Sequence, residues 1–372
     1  MKYFLYYIGM ILIFFCCMEK EYAHFTISGQ MNDLNDSVIY VVSSGLTDNM
    51  IIIDTIPCKN GRFFYKASSD SLTPLVVYVK EGEIWFTVWV KDMDHIVISG
   101  DVNIPELIMA KGNETNDLLS LFKEQNMDLL KEFRSLTNRK HSLESVHDSL
   151  SIEYNETKYT QRLSNINYQL REKAEDFIQE HPTSVASLVL LRDYLLDAED
   201  AEHMQNYLSL IEGEATEVRL YKDLTSLCIK FLQSAVGSKA PDFLLINTQN
   251  DTLSLQSFEG KYLLLNFVTT SCEPCITESN DFVKIRKKYT NKKIELLSIV
   301  LEESEKTWLQ LVKENNYAWH QVIDTLGWDS PIASNYNVTY LPSNFLIDKD
   351  QIIVAKNLTT DSIMAILGKT KN

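Results

Sequence analysis

The sequence predicts a multi-domain chain: a small all-β sandwich or barrel-like domain, an α-helical region, and an α/β domain at the carboxyl end. Three observations lead there. At 372 residues the chain exceeds one ordinary domain. Near Asn113 the spacing of apolar residues changes from period two to a helical period. Beyond Gly237 it changes again, to apolar runs alternating with amphipathic stretches. A hydrophobic content of 45% with 23% charged residues is globular rather than disordered. The net charge of −16, with no dense Lys/Arg cluster, argues against a nucleic-acid partner, whose phosphates it would repel.

The chain opens "MKYFLYYIGMILIFFCCMEKEY". One lysine precedes an apolar run from Tyr3 to Phe15, too short for a bilayer, which needs about 20 residues. Its length fits the core of a signal peptide over residues 1–17. The run ends in two cysteines and resembles a bacterial lipoprotein signal, which implies lipidation of Cys17, with Cys16 as the alternative. Phe14 and Phe15 depart from the usual Leu-small-small pattern. The expected location is the bacterial cell envelope, on the periplasmic side, membrane-anchored. Simple cleavage, leaving a free exported protein, is the other reading.

Residues 24–110 carry short runs such as "SVIYVVSS", "GRFFYKAS" and "IWFTVWVKD", in which β-branched and aromatic residues alternate with polar ones. Gly, Asn, Asp and Pro separate them, which spells about seven strands. The stretches "DSVIY", "IDT" and "NGRFFY" resemble a β-rich domain of unknown function that precedes thioredoxin-like domains in exported bacterial proteins. Trp85, Phe86 and Trp89 fit a surface groove or, by their alternation, the core.

In residues 111–236, Leu118, Phe122, Leu129, Phe133 and Leu136 mark an amphipathic helix. Leu163, Ile166, Leu170 and Phe177 mark another, and "HPTS" breaks the pattern with Ser184 placed as a cap. Four or five helices are expected. The histidines here are too scattered to suggest a metal site.

Residues 237–372 begin with the linker-like "GSKAPDF" and continue in the order β-α-β-α-β-β-α. "YLLLNFV" is continuously apolar, as for a strand covered on both faces. Directly after it comes "TTSCEPC". A CxxC pair between a buried strand and a helix sits where unpaired N–H groups and the helix dipole stabilise a thiolate. Cys272 is then the exposed nucleophile, and Cys275, one turn in, resolves the mixed disulfide. Pro274 is tolerated because first-turn N–H groups lack helical partners. Ser271 stands where it can cap that helix.

From Ala240 to Gly368 the chain resembles the TlpA/ResA type of exported thioredoxin-fold thiol–disulfide oxidoreductase. The resemblance rests on "APDF", on Asn266–Phe267, on "CEPC" with Glu278, and on "VTYLPSNFLID". It implies that Pro342 is cis and that Pro342 and the Leu341 backbone receive the substrate chain. It also implies that Glu278 relays a proton for Cys275, against the plain reading of a solvated helix residue. No cofactor is expected beyond the redox-active disulfide. Implied partners are oxidised exported proteins as substrates and a membrane dithiol as electron donor. Val268 and Ser271 stand where relatives carry Trp, which places substrate preference and potential in question, together with any role of Ser271 at the docking surface.

Three other readings compete. A zinc site needs a second pair of soft ligands, and Cys58 and Cys228 stand alone. They read as ordinary buried thiols, with a disulfide between them as the alternative. A peroxiredoxin-like peroxidase resembles PxxxTxxC; Thr269 fits it, but Leu265 takes the proline position and Cys275 follows at once. A non-enzymatic surface lipoprotein would use CxxC as a staple, although so short a loop gains little from closure.

Overall fold

The computed structural model describes residues 24–43, 51–79, 83–144, 149–289, 294–302 and 305–369. The amino-terminal leader, with Cys16 and Cys17, lies outside the described residues. Among those described, no helix is long and apolar enough to cross a membrane. The chain divides into two compact units, residues 1–170 and 171–372.

The first unit is built on one eight-stranded sheet. Its strands are β1 (Phe25–Asn32), β2 (Val38–Ser43), β3 (Ile51–Lys59), β4 (Arg62–Ala67), β5 (Thr73–Val79), β6 (Ile84–Val90), β7 (His95–Asp101) and β8 (Met109–Lys111). They are ordered β6-β5-β2-β3-β4-β1-β7-β8. All pairs are antiparallel except β1 with β7. Alternation sends Phe25, Ile27, Ile39, Val41, Phe63, Val77, Phe86, Val88, Ile96 and Ile98 into a single core, so the sheet is curled and barrel-like. Phe86 and Trp89 are buried, whereas Trp85 is 58% exposed. Asn60 and Gly61 turn β3 into β4 at positive φ, as a tight hairpin requires. A Cβ on Gly61 would lie 2.2 Å from the Met31 carbonyl oxygen. β8 adds one strand to the seven expected; three residues are too few to show a period.

Among the described residues six α-helices follow: α1 (Glu114–Gln125), α2 (Met127–Glu144), α3 (Ser149–Glu180), α4 (Val185–Leu190), α5 (Ala201–Leu208) and α6 (Arg219–Gln233). The division between the units falls inside α3. The stripe from Leu118 to Leu136 spans two helices rather than one. Asn126 interrupts it, its side-chain amide donating to the Phe122 carbonyl oxygen at 2.8 Å alongside its own backbone N–H. Ser184 caps α4, accepting from the Ala186 N–H.

Helix α1 answers a problem of the sheet. Strands β6 and β8 are its two edges, with backbone groups lacking a neighbouring strand. Asn116, 2% exposed, accepts from the Trp89 N–H at 3.1 Å and donates to the Trp89 carbonyl at 2.7 Å. One turn later, the Ser120 hydroxyl accepts from the Ala110 N–H at 3.2 Å and donates to its carbonyl at 2.7 Å. Two side chains four residues apart thus stand in for strands at both edges.

The second unit contains α4–α6 and a five-stranded sheet. β9 (Leu244–Ile246) and β10 (Thr252–Ser254) form a hairpin before it. Then come β11 (Tyr262–Val268), α7 (Glu273–Lys288), β12 (Ile294–Leu301), α8 (Glu305–Asn315), β13 (His320–Asp324), α9 (Pro331–Asn335), β14 (Ser343–Ile347), β15 (Ile353–Lys356) and α10 (Thr360–Lys369). The sheet order is β13-β12-β11-β14-β15, with β11, β12 and β13 parallel. β14 runs antiparallel to β11, and β15 antiparallel to β14. β11 is central: Leu263, Leu265 and Phe267 enter one core cluster, Leu264 and Val268 the other. β13 is missing from the expected order because "HQVID" mixes polar and apolar residues at an edge. The "GSKAPDF" segment is not a loose linker: Gly237 and Ala240 donate to the carbonyls of Ile353 and Gln351, bonding it along β15.

Replacing Asn116 by Ala leaves the buried Trp89 N–H unpaired, while the carbonyl keeps its bond from Asn113 Nδ2 at 2.9 Å, at a cost of about 1–3 kcal/mol. Urea unfolding should shift to lower concentration, and amide exchange in β6 should accelerate. Ser120→Ala should act likewise on β8. Unchanged midpoints and exchange would remove both side chains from the account of edge closure.

Candidate active site

β11 ends at Val268 and α7 begins at Glu273, leaving four residues to turn the chain. Cys272 is the cap of α7, in extended backbone (φ −102°, ψ 99°). Its Sγ accepts from the Cys275 N–H at 3.2 Å, and its carbonyl accepts from Cys275 and Ile276. Ser271 does not cap the helix; it is exposed and one residue too early, and the sulfur takes the role assigned to its hydroxyl. Cys272 and Cys275 are joined in a disulfide. Cys272 is half-buried, whereas Cys275 is fully buried in the cluster between α7 and the sheet.

The Leu341–Pro342 peptide is cis. Phe267 is paired with Ser343, so the register of β11 and β14 sets Pro342 beside the carboxyl end of β11. Leu341 packs against the same apolar cluster as Cys272 and Cys275. Tyr340, next to it, is exposed. The structure therefore gathers Cys272, Cys275, Leu341 and Pro342 at one end of the sheet.

Glu278 is one turn beyond Cys275 and half-buried, not a solvated helix residue. Burial raises its pKa to about 7, offset in part by a bond from Asn344 and augmented by Asp281. Asn344 Nδ2 donates to Glu278 Oε1 at 2.8 Å, and Asn344 is itself held by the Leu358 peptide groups. Glu278 Oε2 is buried without a protein partner, as are both amide atoms of Asn266 and the Ser279 hydroxyl. Asn266 pairs across the sheet with Asn344 and, by alternation with Leu264 and Val268, faces α7. A patch of buried polarity thus underlies the disulfide. Asn344 was not singled out from the sequence and Asn266 entered only within the Asn266–Phe267 motif, because nothing local to either signals a partner on α7.

A second carboxylate lies on the other side of the cysteine loop. Glu302, just past β12, accepts from Thr269 Oγ1 at 3.1 Å, Thr270 N at 2.9 Å and Thr270 Oγ1 at 2.5 Å. Burial would raise its pKa, but these bonds outweigh it and hold the carboxylate below its usual range. Cys58 and Cys228 are buried free thiols, and burial pushes both pKa values up. Among the described residues, no three His, Cys, Asp or Glu side chains cluster as a metal site.

The raised pKa of Glu278 has a consequence for stability. The unfolded chain ionises it near the ordinary 4.5 and the folded chain near 7. Its folded form is therefore undisturbed below pH 4.5 and loses stability as pH rises from there through 7, by up to about 3 kcal/mol. Glu278→Gln, which stays neutral, should match the parent in urea unfolding at about pH 4 and exceed it at about pH 8. Parallel stability curves at both values would show that Glu278 is not buried against its charge.

Residues 236–356 match the AhpC/TSA family. The thiol–disulfide oxidoreductase ResA of a Bacillus cereus strain is 31% identical over 121 residues, covering 32% of this chain and 68% of the relative. ResA of Geobacillus kaustophilus (strain HTA426) is 30% identical over 140 residues, covering 37% and 79%. A thiol–disulfide oxidoreductase structure from Bacteroides fragilis NCTC 9343 is 30% identical, covers 36% of this chain and 98% of that one, and superposes with a TM-score of 0.34. With its CxxC pair capping a helix on a thioredoxin-like sheet, the chain belongs to the ResA family of thiol–disulfide oxidoreductases.

Proposed function

We propose that the protein is an exported, membrane-anchored reductase of disulfides in other exported proteins, held by a lipid on Cys17 or Cys16. The unequal burial of the two cysteines carries the catalytic part of this reading. The half-buried Cys272 thiolate attacks a substrate disulfide, forming a mixed disulfide and releasing one substrate sulfur as thiolate. Glu278 takes the proton of Cys275, either directly or through the polar patch beneath the pair. The Cys275 thiolate then attacks Cys272, releasing the second substrate sulfur and closing the internal disulfide. Two electrons pass to the substrate, and a membrane dithiol returns them. The substrate chain lies along Leu341 and Pro342, with Ser271 at the rim. No cofactor other than the cysteine pair takes part.

A peroxidase reading is less favoured. The Thr269 hydroxyl, which that pattern would direct at the cysteine, donates to Glu302 instead.

Redox titration of the full chain, read by thiol alkylation and mass, tests the direction of transfer. A reversible two-electron couple near or below roughly −270 mV is expected for a reductase, and one near −120 mV would mean an oxidase. In parallel, Cys275→Ser should accumulate a mixed disulfide with reduced Cys272, and Cys272→Ser should accumulate none. Equal trapping by both variants would overturn the assigned order.

A further inference from the structure

The two threonines before the CxxC pair are tied to a carboxylate that the redox chemistry does not use. Glu302 belongs to the carboxyl end of β12, and its own N–H donates to the Asp324 carbonyl at the end of β13. It accepts three hydrogen bonds, two from the side chains of Thr269 and Thr270 and one from the Thr270 backbone. The Thr269 carbonyl in turn accepts from the Cys272 N–H at 3.4 Å. One carboxylate thus governs the backbone that presents the nucleophile. Thr270 precedes Cys272 by two positions, so their Cα atoms are at most about 7.6 Å apart. The carboxylate bonded to Thr270 is therefore on the order of 10 Å from the sulfur, where its charge still acts on a sulfur anion, partly screened.

We propose that Glu302 is a positioning residue with two effects: it locks the Thr269–Ser271 loop, and its fixed negative charge opposes the thiolate of Cys272. The helix terminus favours that thiolate and Glu302 disfavours it. The balance keeps the Cys272 thiol more basic than the helix alone would, and a more basic thiol makes the disulfide harder to reduce and the dithiol a stronger reductant. This inference rests on Cys272 being the nucleophile. Other ionisable groups at this end of the sheet are Asp324 on β13, Glu273 and Glu278 on α7, and Lys306 at the start of α8. They are common to parent and variants, so a difference between the proteins reports on Glu302. Glu278 lies on the buried side of α7, where burial raises its pKa to about 7 in the parent.

The test is Glu302→Gln in the full chain, which keeps an acceptor for the threonines and removes the charge. The pH profile of Cys272 alkylation should move to lower pH, with roughly three- to tenfold more thiolate below the midpoint. The potential of the pair should rise; a tenfold change in its equilibrium would be about 30 mV. Glu302→Asp reverses the logic: the shorter carboxylate keeps its charge but loses the threonine bonds. Its alkylation profile should stay, while amide exchange at Thr270 quickens and disulfide exchange slows. An unmoved profile and potential in Glu302→Gln, with a reversible couple intact, would overturn the inference and spare the reductase reading. If Glu302→Gln does not fold, parent-like amide exchange and disulfide exchange in Glu302→Asp overturn it alone. Absence of any reversible couple in the parent would instead count against the reductase reading itself.

Discussion

The site depends on β11 being buried on both faces and ending where a helix must start. Its alternating side chains anchor it in two cores, so its carboxyl end cannot drift. The chain then has four residues to leave the sheet before α7 begins. Whatever residue caps that helix is held at the mouth of the site, facing unpaired N–H groups. Here it is a sulfur. Cap position and reactivity of Cys272 are therefore one constraint, and the full burial of Cys275 follows from its place one turn inside.

Polar groups lie on either side of the disulfide. On the buried side, Glu278, Asn344, Asn266 and Ser279 occupy space that apolar residues would fill at less cost. Of these groups only Glu278 titrates, and a buried carboxyl near neutrality is what the proposed proton relay requires. On the loop side, Glu302 is held ionised by its threonine donors. The two carboxylates are thus poised differently, one near neutrality and one firmly charged, because one is desolvated and the other is richly hydrogen-bonded.

The same economy of side chains recurs in the β-rich domain. Its sheet is not closed by strand pairing alone; Asn116 and Ser120 satisfy the edges that pairing leaves open. A short helix thereby removes two sites of unwanted strand association. In the second unit, the segment from Gly237 to Ala240 does similar work along β15. Lys356 on β15 pairs with Glu199 at 3.2 Å, joining the α4–α5 loop to the catalytic sheet.

By itself the sequence determined what is local or periodic. Alternation gave the strands of the β-rich domain, a continuous apolar run gave β11, and the CxxC spacing placed two sulfurs one helical turn apart. Signals shorter than their context failed: β8 and β13 are too brief or too mixed to show a period. One polar residue, Asn126, broke a helix that its apolar stripe would continue. The choice of cap went to Cys272 rather than Ser271 because helix start is fixed by where β11 stops. Only tertiary structure decided the partners that tune the site. Glu302 meets Thr270 across 32 residues and Asn344 meets Glu278 across 66. Both pairings exist because parallel β11–β12 and antiparallel β11–β14 registers bring distant strand ends together. Register is set by how every strand buries its apolar face at once, which no short stretch of sequence records.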